Sequence, residues 1–156
     1  MDDIQNIYKM LSFENTDETR AEGFRLAEQI EDLSLLILPP AAPSVWRCCA
    51  QVLCEKSDMV LEPYLDSLLE WLQDLNWPGA LIILDRLKVF SGEKLKKPFM
   101  DCVTYANKLN SKEGLMWLDY LSELLNNKEL KAVLPKPIIE ELKKHYKNCG
   151  FWYNDD

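Results

Sequence analysis

The sequence predicts a single all-α domain of about eight helices, stacked as antiparallel pairs in a HEAT-like α–α superhelix or an irregular helical bundle. Apolar residues recur at helical spacing along nearly the whole chain. No β-branched run alternates between turn signals as a strand would. The punctuating residues stand close enough together to make successive helices antiparallel neighbours. At 156 residues, 47% hydrophobic and 28% charged, the chain can bury one core and is far from a disordered composition.

The first helix is expected from Asp3 to Phe13, with Ile4, Ile7, Tyr8 and Leu11 on one face. A second starts at Thr16, Asp17 and Glu18, where a capping side chain precedes acidic first-turn residues, and runs to Leu33. The prolines at 39, 40 and 43 make a rigid connector, after which Ser44 caps a third helix from Val45 to Lys56. The fourth, Glu62 to Leu75, is the clearest: its leucines, Tyr64 and Trp71 fill an arc of about 160°. Glu62, Asp66, Ser67, Glu70, Gln73 and Asp74 fill the rest, an acidic outer face.

Trp77-Pro78-Gly79 turns the chain into a fifth helix, Ala80 to Phe90, apolar on nearly every side and so central. A sixth follows from Leu95 to Leu109. Asn110-Ser111 caps a seventh from Lys112 to Leu125, and after a short turn Pro135 opens an eighth that reaches Asn148. The chain reads as one domain over 1–156, with a helical extension at 1–38, a central region at 40–126, and a C-terminal helix with an aromatic tail at 127–156.

The formal net charge of −8 disfavours nucleic acid and anionic membranes and favours a basic protein partner. No apolar run is long enough to cross a membrane. The acidic N-terminus is no secretory or transit leader, so a cytoplasmic location is expected. Cysteines number five, an odd count, and four of them fall inside predicted helices, as free core thiols would.

Candidates for chemistry are sparse. Cys48 and Cys49 are adjacent and splay apart on a helix, and His145 with Cys149 has no second pair, so no metal or cofactor is expected and His145 reads as solvated. No glycine-rich phosphate loop occurs. Glu70 and Asp74, one helical turn apart with Asp66 below, admit three readings: a solvated helix face, an acidic ridge that docks a basic partner, or an acid/base or divalent-cation pair with Asp85 as helper. The Gly79 and Ala80 amides could receive an anion, or Trp77 could simply plug a helix corner. The Phe151-Trp152-Tyr153 tail is either a plug on the core or an anchor for a partner. Candidate partner-binding residues are therefore Glu62, Asp66, Glu70, Gln73, Asp74 and Trp152, with no catalytic residue assigned.

The run Trp71-Leu72-Gln73-Asp74-Leu75-Asn76-Trp77-Pro78-Gly79-Ala80 resembles the signature of an uncharacterised bacterial family of small helical proteins. Val45-Trp46-Arg47-x-Cys49-Ala50, Lys56-Ser57-Asp58, Asp85-Arg86-Leu87 and Trp117-Leu118 with Leu121 to Leu125 extend the resemblance over about 40–126. It implies HEAT-like helix pairs with no assigned activity; some small bacterial proteins of this kind resemble immunity proteins for secreted toxins. The resulting expectation is a non-catalytic protein-interaction module, an immunity or adaptor protein. The alternative is a small enzyme or divalent-cation binder that uses Glu70 and Asp74.

Overall fold

A computed structural model describes residues 3–12 and 14–147. Its elements are helical throughout the described residues, without strands: α1 (Ile4–Met10), α2 (Asp17–Ala27), α3 (Pro43–Cys54), α4 (Asp58–Leu61), α5 (Leu65–Glu70), α6 (Ala80–Lys88), α7 (Gly92–Leu109), α8 (Lys112–Leu121), α9 (Lys128–Val133) and α10 (Lys136–Tyr146). Short 3₁₀ turns occupy Leu33–Leu36, Glu62–Tyr64, Trp71–Gln73 and Ser122–Asn126. None of the helices described is long and apolar enough to cross a membrane.

Local chemistry sets most boundaries. Thr16, Ser57, Ser91, Ser111 and Asn127 each accept a hydrogen bond from the first turn of the helix that follows. The second helix stops at Ala27, short of Leu33, where the Gln29 and Ile30 amides turn back to the Leu26 and Ala27 carbonyls. Asp32 then accepts from the Ser34 amide and opens a separate 3₁₀ turn. The fourth predicted helix begins earlier, at Asp58, and is interrupted: Pro63 has no N–H to continue the ladder, and Glu62–Tyr64 tightens to 3₁₀. The turn expected after Asn127 is itself a helix, α9.

The bundle is held by sequential pairings, such as α1 on α2, and by others that cross the chain order. Helix α3 packs on α6, α5 on α7, α7 on both α8 and α9, and α10 on α8 and the Ser122–Asn126 turn. Gly92 permits one of these contacts. A Cβ there would lie 2.3 Å from the Glu129 carbonyl carbon and the Leu130 nitrogen, so only glycine lets α7 meet the start of α9. One contiguous core results, running from Ile7 on α1 to Leu142 on α10.

The segments that carry the sequence signature converge in this core. Trp71 is fully buried, donates its indole N–H to the Pro78 carbonyl at 3.0 Å, and meets Trp46 edge-on at 6.1 Å between ring centroids. Trp77 meets Trp46 likewise at 5.8 Å. Gly79 has φ +84°, and a Cβ there would lie 2.8 Å from Ala50 Cβ and 3.1 Å from the Trp71 ring. Arg86 bonds to Asp58 at 2.6 Å and to the Lys56 carbonyl at 2.9 Å, while the second Asp58 oxygen accepts from the Ser91 amide at 2.9 Å.

Candidate binding grooves

Where α5 lies against α7, the acidic face of α5 forms one wall of a surface groove of about 310 Å³, lined by Asp66, Glu70, Asp101, Cys102, Tyr105 and Trp117. The alternation that buries Leu65, Leu68 and Leu69 is what turns Asp66 and Glu70 outward. Asp101 and Tyr105 stand one turn apart on α7, both exposed, with Tyr105 57% open to solvent. The floor is aromatic. Tyr105 meets Trp117 edge-on at 6.0 Å, and the Trp117 indole donates to the Leu69 carbonyl at 3.2 Å, which locks the ring in place.

Electrostatically the groove is negative. Lys97 ion-pairs with Asp101 at 2.9 Å, and that hydrogen bond and charge, helped by Asp66, raise the Lys97 ammonium above its usual value. Against this single lysine stand three carboxylates on the groove wall. Burial, with Glu70 and Asp66 adding repulsion, pushes the Cys102 thiol up to about 12, which favours the protonated form at neutral pH. Cys49, in the core, is pushed up to about 12 as well, first by burial and then by Cys48.

The other predicted residues fare differently. Glu62 is exposed at the end of the same face and pairs with Lys94 of α7 at 3.3 Å. Gln73 folds back to donate to the Glu70 carbonyl at 2.9 Å. Asp74 does not share a helical face with Glu70, as the spacing suggested. The chain tightens to 3₁₀ at Trp71–Gln73 and Asp74 is extended, its carboxylate accepting from the Asn76 amide at 2.8 Å as a turn former. Asp85 is exposed on α6, 3.9 Å from Lys88, and lines neither this groove nor the one described next. Among the described residues no group of three His, Cys, Asp or Glu side chains is placed to hold a metal ion. Trp152 and the aromatic tail lie outside the described residues.

His145 is not the solvated side chain that its place near a helix end suggested. Packing of α10 on α8 brings its Nδ1 to 2.8 Å from Asp119 Oδ1, and Asp119 is only 3% exposed. Three further polar groups are buried nearby in the chain: Ser122, Glu123, which pairs with Lys88 at 3.4 Å, and Asn127.

A second and larger groove, about 570 Å³, runs beside the Trp77-Pro78-Gly79 turn between α3 and α6. Residues 48–148, which supply all of the acidic groove and most of this one, match a family described as a domain of unknown function, DUF5071. The chain belongs to that family. The match takes in α9 and α10, beyond the 40–126 span of the sequence signature, and starts inside α3. No curated protein and no solved structure matches the chain. The family's description assigns no activity, so any functional reading of this DUF5071 protein rests on its grooves.

Proposed function

We propose that this chain is a non-catalytic protein-interaction module, an immunity or adaptor protein of the bacterial cytoplasm, that holds basic side chains of a protein partner in the groove between α5 and α7. The supporting observation is the set Asp66, Glu70 and Asp101 around the open Tyr105 ring. Carboxylates at the rim of an aromatic face suit a guanidinium or ammonium group, which gains from charge and from the ring together. The HEAT-like stacking implied by the sequence signature fits the same use, since stacked helix pairs present extended binding surfaces. Catalysis by Glu70 and Asp74 has no such support, because Asp74 has left the helix to close a turn.

An arginine-rich peptide should bind the protein with an affinity that falls as salt is added, because the rim charges are screened. Asp66→Lys combined with Glu70→Lys reverses two exposed charges without touching the core, and should weaken that binding at least about tenfold, or about 1.4 kcal/mol. The remaining salt dependence should flatten. Equal affinity for the double variant and the parent would take the groove out of the account.

A further inference from the structure

The larger groove differs in kind from the acidic one. Leu75, Trp77, Leu81 and Ile82 give it apolar walls, Leu81 is 49% exposed, and among the described residues its lining contains no acidic one. Its sole charge is Arg47, exposed on α3, whose guanidinium makes no ion pair among the described residues. In a chain with 26 acidic and 18 basic side chains, an apolar trough with one arginine and no carboxylate is a local reversal of sign. Contacts from the core brace the turn that shapes it. Trp77 is braced edge-on by Trp46, and the Pro78 carbonyl is tied to the buried Trp71 indole.

We propose that this groove is a second docking site, independent of the acidic one, for an extended protein segment that places a bulky apolar side chain against Trp77 and Leu81 and a carboxylate on Arg47. Charge complementarity selects an acidic neighbour for the apolar anchor, since an arginine presents planar donors that a carboxylate accepts two at a time. The openness of the trough at Leu81 and Arg47 suits a segment lying across the surface better than a small molecule enclosed in a cavity. An aromatic wall with an arginine beside it has the composition of an interface hot spot.

Selection of binders from a displayed library of random peptides tests this, with the parent protein, Arg47→Glu, Leu81→Asp and the acidic-groove double variant as separate baits. The proposal expects one enriched class with an apolar residue near Asp or Glu, at least about tenfold weaker on Arg47→Glu and on Leu81→Asp, and unchanged on Asp66→Lys with Glu70→Lys. Synthetic peptides of that class should shift the Trp77 indole resonance and the amides of 79–82. Enrichment of basic peptides alone, lost only on the acidic-groove variant, would overturn this proposal and leave the first groove's reading standing. So would apolar–acidic peptides that bind Arg47→Glu as well as the parent, or a protein that self-associates through Leu81 and gives the trough to a second copy.

Discussion

Trp71→Ala is expected to destabilise the protein by about 3–5 kcal/mol, measured as the shift in an equilibrium chemical-denaturation curve. The side chain is fully buried, and its truncation empties the space between the edge of Trp46 and the backbone at Gly79. The lost indole N–H also strands the Pro78 carbonyl, which sits at the tight turn between the Trp71–Gln73 segment and α6. A loss of that size is a large share of the stability of a domain this small. Trp71→Phe keeps part of the volume but not the donor, and should fall between the parent and the alanine variant. A shift below about 1 kcal/mol for the alanine variant would contradict the packing described for α5 and α6.

Asn127→Ala is expected to cost about 3 kcal/mol by the same measurement. Asn127 is 2% exposed, and its amide donates to the Leu87 carbonyl at 2.8 Å and the Phe90 carbonyl at 2.9 Å, while its oxygen accepts from the Leu130 amide at 3.0 Å. Three backbone groups from the end of α6 and the start of α9 therefore bond to one side chain, and of these, among the described residues, only the Leu87 carbonyl has a second partner, the Phe90 amide at 3.2 Å. Alanine leaves them buried without that partner and removes the cap of α9. Asn127→Asp keeps the acceptor for Leu130 but turns a carboxylate oxygen toward two carbonyls, so it should recover little. If the aspartate variant matched the parent, the two bonds to Leu87 and Phe90 would not contribute as argued.

Periodicity alone was enough to place Leu65, Leu68, Leu69, Trp71 and Leu72 inside and Glu62, Asp66 and Glu70 outside, because those assignments depend only on the rotation per residue. It failed at Asp74 for the same reason: a 3₁₀ turn and an extended residue break the rotation that the spacing assumed. The other wall of the groove was not legible. Asp101 and Tyr105 lie about thirty residues away on α7, and no pattern within one helix says which neighbour it will meet. The one local signal was a polar stripe at i, i+4 on α7, Lys97, Asp101 and Tyr105, interpretable only once α7 was set beside α5. The burial of His145 is equally invisible to local spacing, since its partner Asp119 is on another helix. The scattered signature fragments, by contrast, gain meaning from the fold: Trp46, Trp71 and Trp77 stack edge to face, and Arg86 joins Lys56 to Asp58.

Mapping an arginine-rich peptide onto the protein by amide chemical-shift changes reports on the groove between α5 and α7 most directly. The largest changes should fall on Asp66, Glu70, Asp101, Cys102 and Tyr105, with the Trp117 indole resonance moving alongside them. Saturable binding that leaves those six side chains' resonances and amides where they were, and moves another face of the protein instead, would contradict the assignment of this groove to a basic partner.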